Sequence, residues 1–228
     1  MHCRRMSTRL QPSPPGANDG GAATFSAGAG VVKIAMPAAP VALFVLLFAL
    51  CACSGEQARF SGIDLTGSKQ DLQFSLTDAE GKERTLADFR GSYVMLFFGF
   101  TQCPDVCPTT LARAAEVRKK LGPDGAKVKV VFISVDPERD TAELLRDYLR
   151  AFDPEFVGLR GTAEQTRVAA KALNVFYEKA PSGSSYTINH TAITYIFDAR
   201  GQLRLGMRHS QEADDYVADL RILMKQQS

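Results

Sequence analysis

The stretch "SYVMLFFGF", residues 92–100, constrains the fold more than any other. From Tyr93 to Phe100 every residue except Gly99 carries an apolar side chain. A strand with no polar face must be covered on both sides, as in the sheets of α/β domains. It runs directly into "TQCPDVCP", which holds Cys103 and Cys107, and then into "TTLARAAEVRKKL". The helical periodicity of that last segment stops at Gly122-Pro123. Two cysteines separated by three residues therefore stand where a core strand turns into a helix.

The rest of the chain supplies elements to surround that strand. "DLQFSLTDAEGKERTLADF" predicts short alternating strands around a turn at Glu80-Gly81, and "KVKVVFISVD" predicts a second buried strand. Asp140-Thr141-Ala142-Glu143 reads as a capping box opening the helix "TAELLRDYLRAF". A short strand in "FVGLRG" and an amphipathic helix over residues 162–173 follow. "TAITYIFDARGQLRLGMRH" predicts a hairpin about Arg200-Gly201, and "EADDYVADLRILMKQ" predicts a closing helix. This order is that of an α/β, thioredoxin-like fold with an extra N-terminal β-hairpin and an inserted helix. One domain over residues 60–228 accounts for it.

Ahead of that domain the sequence reads as processing signal. Residues 1–33 form a low-complexity extension rich in Gly, Ala, Pro and Ser that cannot build a core. Residues 1–30 look unlike any part of a signal peptide, and a natural start near Val31 or Val32 is expected. Residues 34–53 contain the uninterrupted run "VALFVLLFAL", short for a membrane span and typical of a signal-peptide core. It ends in Leu50-Cys51-Ala52-Cys53, which resembles a bacterial lipobox with Cys53 as the lipidated residue. An uncleaved membrane anchor over the uncharged stretch Ile34 to Ala52 is the alternative. Residues 54–59 are a linker. The expected location is attachment to a membrane, with the domain in the periplasm or cell envelope.

This division matters for charge and for cysteine use. The net charge of +2 lies in the N-terminal part, where Arg4, Arg5, Arg9 and Lys33 face Asp19 alone. Setting those aside leaves 23 basic and 24 acidic residues, so no basic stripe remains for nucleic acid. Of five cysteines only Cys103 and Cys107 remain in an exported domain, which meets an oxidising compartment.

Three chemistries compete for that pair. A structural disulfide closing so small a ring contributes about 2 kcal/mol, and a domain with a full apolar core has little need of it. Redox exchange is favoured by the helix N-terminus, whose dipole stabilises a thiolate. Pro104 suits the first helical position. Yet the spacing is C-x-x-x-C rather than the C-x-x-C of thiol oxidoreductases, and the chain has no Trp. A peroxiredoxin-type peroxidase would need Thr three residues before the attacking cysteine, whereas Thr101 is two before Cys103. The third chemistry is metal: two thiolates are soft ligands that favour Cu(I), with imidazole as a suitable third donor. The domain has two histidines, His190 and His209. His190 precedes the core strand of the closing hairpin, in the loop that faces the cysteine motif of thioredoxin-like folds. His209, in "GMRHS", reads as a surface residue. Zinc would need both histidines to reach one point.

"FFGFTQCPDVCPTTL", "VVFISVDPERDT" and "INHTAITYIFDARG" together resemble the Sco/SenC family of copper-binding, thioredoxin-like proteins, and the likeness covers residues 60–228. The resemblance implies copper, Cu(I) and in some states Cu(II), bound through Cys103, Cys107 and His190. It also implies a metallochaperone that assists assembly of the binuclear copper centre of a respiratory cytochrome oxidase. Its partners would be the copper-accepting oxidase subunit, a thiol–disulfide reductant and, through the N-terminal anchor, the membrane. Asp136 is expected to support the site from behind the ligands. Asn189 departs from the acidic residue usual before the histidine. A thiol–disulfide reductase that keeps the acceptor's cysteines reduced is the rival reading, with Cys103 and Cys107 as its redox pair. A copper or redox sensor remains a further alternative.

Overall fold

The computed structural model describes residues 59–68 and 73–227. The low-complexity extension, the signal or anchor segment and the lipidation candidate Cys53 lie outside the described residues. Among the described residues the strands are β1 (Ile63–Asp64), β2 (Leu76–Asp78), β3 (Glu83–Arg84), β4 (Tyr93–Gly99), β5 (Val128–Ser134), β6 (Val157–Arg160), β7 (Tyr177–Ser182), β8 (Ser185–His190), β9 (Ile193–Phe197) and β10 (Leu203–Arg208). The α-helices are α1 (Val106–Lys120), α2 (Ala142–Arg150), α3 (Ala163–Ala172) and α4 (Ala213–Lys225).

Eight strands form one mixed sheet in the order β1-β10-β9-β4-β5-β6-β2-β3. β4 lies in the middle, parallel to β5 from Tyr93↔Val128 to Gly99↔Ser134 and antiparallel to β9. Its apolar run is explained by its two faces. Tyr93, Met95 and Phe97 belong to a core shared with α1, α2 and α4, while Val94, Leu96 and Phe98 belong to a second core shared with α3. Each fully buried large side chain contributes on the order of 2 kcal/mol, so the central strand anchors the whole α/β layer. The expected N-terminal hairpin, β2–β3, turns at Gly81 with φ +81° and joins the sheet edge by pairing with β6.

The crossing from β4 to α1 is tight. A Cβ on Gly99 would come within 2.6 Å of Cys107 Sγ and 2.8 Å of the Phe132 ring. Gly99 is thus the one apolar-run position without a side chain because the helix and the neighbouring strand occupy that space.

Three local expectations change. α1 begins at Val106 with Asp105 as its cap, so Pro104 lies before the helix, and Pro108 is the proline in the first turn, where no N–H is needed. The cap of α2 is Thr141, whose hydroxyl accepts from Leu144 N at 3.1 Å. Asp140 is buried under the cysteine loop instead of capping the helix. Finally, the segment leading to His190 is not a loop. β7 and β8 form a separate two-stranded hairpin, from Tyr177↔His190 to Ser182↔Ser185 around Gly183.

Candidate metal centre

Three elements converge at the end of the sheet where β4 stops. Cys103 sits in the turn after Phe100, its N–H donating to the Phe100 carbonyl at 3.2 Å. Cys107 is fully buried in the first turn of α1, and Cys103 is partly exposed. His190 is the last residue of β8 and partly buried. The two sulfurs and one imidazole nitrogen all lie within 4.8 Å of one another, and Cys107 Sγ is 3.7 Å from His190 Nε2. Among the described residues no other group of three metal-ligating side chains converges in this way.

The thiols are free and unequal. The Cys107 thiol donates to Cys103, and this hydrogen bond is the main reason that Cys103 is pulled down to about 3. The backbone N–H groups of Asp105 and Cys107 add to it, and burial opposes it. Cys107 is pushed up by giving that hydrogen bond, by its burial and by the adjacent Cys103 charge. The accessible sulfur is therefore the one that gives up its proton first, and the buried one holds its proton longer. His190 Nδ1 lies 3.1 Å from the Thr191 carbonyl oxygen. A carbonyl only accepts, so Nδ1 bears the proton and Nε2 turns its lone pair toward the sulfurs.

Buried polar side chains hold the three elements in register. Asp140 accepts from Ser134 Oγ at 2.5 Å and from Thr101 Oγ1 at 2.6 Å, fastening the start of the cysteine loop to the end of β5. Burial pushes the Asp140 carboxyl up, and the hydrogen bonds from Ser134 and Thr101 oppose that shift. Arg160 braces the loop between β5 and α2 by donating to the Asp140 and Pro137 carbonyls. Arg139 spans the loops: it pairs with Asp136, donates to Gln102 Oε1 at 3.1 Å, and donates to the Tyr186 carbonyl at 2.9 Å. Its guanidinium lies 3.7 Å over the Tyr186 ring, and the Tyr186 hydroxyl donates to Asp136 at 2.8 Å. Asp136, fully buried, touches none of the three donors directly; it grips the hairpin four residues upstream of His190.

Sequence reasoning missed two features. The β7–β8 hairpin is signalled by "SGSS" between two short segments of strand-forming residues. His209, expected at the surface, is partly buried and lines the same small cleft as Cys107 and His190. Asn189 is exposed and faces Glu178 across the hairpin. A larger cavity lined by Phe74, Leu86, Val168 and Gly201 shares no residue with the three donors.

The donor set fits a soft metal ion. Two thiolates and an imidazole suit Cu(I) or zinc, and bonds of about 2.0–2.3 Å to one ion set donors roughly 3.5–4.5 Å apart. A closed structural zinc site would ask for a fourth protein ligand, and no such donor joins the close group of three among the described residues.

Known proteins resemble this chain over most of its described residues. The SCO1/SenC family model matches residues 64–225. A mouse protein described as "Protein SCO2 homolog, mitochondrial" is 38% identical over 152 residues, 65% of this chain and 60% of that one. The chain spans about half to three fifths of the length of the mammalian relatives it matches. The structure of Bradyrhizobium japonicum ScoI with copper bound superposes with a TM-score of 0.61 at 38% identity, covering 66% of this chain and 97% of that one. Apo Sco1 from Thermus thermophilus gives 0.66 at 40% identity, covering 74% and 99%. The central sheet, the convergent Cys103, Cys107 and His190, and these matches lead to one conclusion: the chain belongs to the SCO1/SenC family.

Proposed function

We propose that this chain is a copper metallochaperone whose Cys103, Cys107 and His190 hold Cu(I) and pass it to the binuclear copper centre of a respiratory cytochrome oxidase. The observation that carries the reading is the convergence of two thiols and an imidazole of fixed tautomer at one sheet end. The copper bound in Bradyrhizobium japonicum ScoI supports the choice of metal. The partial exposure of Cys103 lets an acceptor's thiolates replace the ligands one at a time, so copper moves without becoming a free ion. Oxidation of the pair to a disulfide removes both sulfur donors, so loading requires a reducing partner. Asp136 acts through Arg139 and Tyr186, holding the hairpin that carries His190. Cys53 is the proposed lipid attachment, tethering the domain to a membrane on the cell-envelope side. Among the described residues no helix is long and apolar enough to cross a membrane.

One observation favours a second reading. A thiolate at Cys103, accessible and backed by a buried thiol, is also an attacking group for disulfide exchange. In that reading the chain reduces the acceptor's cysteines and copper is incidental.

His190→Ala separates the two. It removes one copper donor and neither sulfur, so copper transfer to a thiolate acceptor is expected to fail while disulfide exchange persists. Unchanged Cu(I) affinity in this variant would remove His190 from the site. Asp136→Asn leaves all three donors in place but loosens the hairpin, and Cu(I) affinity is expected to fall about 10-fold. A folded Asp136→Asn protein with wild-type affinity would reduce Asp136 to a packing residue.

The unequal thiols fix the proton balance. Copper competes with protons for sulfur, so affinity falls as pH falls. With Cys103 already a thiolate and Cys107 protonated, Cu(I) displaces one thiol proton, and affinity drops about tenfold per pH unit. In weakly buffered solution at pH 7.5 the expected release is about one thiol proton per ion. Two ordinary thiols with pKa near 8.5 would release nearly two.

A further inference from the structure

Soft thiolates select Cu(I), whereas Cu(II) prefers a tetragonal set of donors that includes nitrogen. Cys103, Cys107 and His190 therefore leave an oxidised ion one protein donor short, and a second imidazole stands beside them. His209 directly follows Arg208, which pairs with Ile193 at the start of β9. His190 lies three residues before Ile193, so the antiparallel register brings both imidazoles to the same end of the sheet. Cys107, Thr110, His190, Thr194 and His209 line one small cleft.

The tautomer of His209 suits a metal ligand. Its Nδ1 lies 3.5 Å from Thr110 Oγ1, one helical turn beyond Cys107. Thr110 is buried, and its hydroxyl proton is committed to the Val106 carbonyl at 2.7 Å. The oxygen can then only accept from the imidazole, which puts the proton on Nδ1 and leaves the Nε2 lone pair free. The Thr191 carbonyl imposes the same tautomer on His190. Yet His209 is not among the donors that already lie within 4.8 Å of one another. It is close enough to share their cleft and separate enough to stay out of a three-coordinate site.

We infer that His209 supplies the fourth ligand when the Cys103, Cys107 and His190 site holds Cu(II), and stands free when the ion is Cu(I). The inference rests on the copper-binding reading above. A Cu(II) site would then have four protein donors and a Cu(I) site three, so an ion leaving as Cu(I) would have three bonds to break rather than four.

The test is the number of imidazoles on the bound Cu(II). Full-length chain labelled with 15N-histidine is loaded with one equivalent of Cu(II), and nitrogen couplings are read by pulsed electron paramagnetic resonance. Two coupled imidazoles are expected in the wild type, and one in His209→Ala and His209→Gln, with near-ultraviolet circular dichroism reporting their fold. The wild-type count needs no variant, so a misfolded variant cannot protect the idea. A wild-type chain that binds Cu(II) through a single imidazole overturns this inference and leaves the chaperone reading standing. A wild-type chain that takes up Cu(I) but no Cu(II) overturns this inference alone, and one that takes up neither ion overturns both.

Discussion

The site depends on a carboxylate that never touches the metal donors. Asp140 is buried where β5 ends, and its oxygens are taken by Ser134 and Thr101. Stripping such a group of its partners costs about 1–3 kcal/mol or more, so the cysteine loop is held down by the penalty for letting go. From this anchor the restraint passes outward. Arg160 ties the Asp140 backbone to β6, and Arg139 ties Asp136, Gln102 and the β7–β8 hairpin together. Cys103 and His190 come from segments 87 residues apart, and side-chain bonds between loops make their meeting reproducible.

The same lone pairs serve copper, protons and sulfur chemistry. A hydrogen bond from Cys107 favours negative charge on Cys103 and a retained proton on the buried thiol. A metal ion held by both sulfurs would end that arrangement, and a disulfide would end it by joining them. Binding copper and exchanging disulfides are thus mutually exclusive uses of one pair. In the proposed chaperone role, a copper cargo could be held firmly and still be surrendered, because a thiol partner would need only to take over the accessible sulfur's role first.

Much of this was legible in the sequence for identifiable reasons. The apolar run at Tyr93 could only be a central strand, because no polar face was available to meet water. The position of Cys103 and Cys107 followed from where that strand gave way to helical periodicity. What sequence could not supply was the path of side chains across loops. Asp140 read as a helix cap because its neighbours carry a capping pattern, yet its side chain points back to Thr101 and Ser134. His209 read as a surface residue because nothing local to "GMRHS" reveals the register that sets Arg208 opposite Ile193. The hairpin under His190 was hidden by polar strands with little core to bury, Ile188 being the exception.

The most direct test of the central claim is an anaerobic Cu(I) titration of the reduced, full-length chain against a chromophoric chelator. The account predicts one ion per chain, with tight binding abolished by Cys103→Ser or by Cys107→Ser. A stoichiometry near zero in the wild type, or undiminished binding with both cysteines replaced, would contradict it.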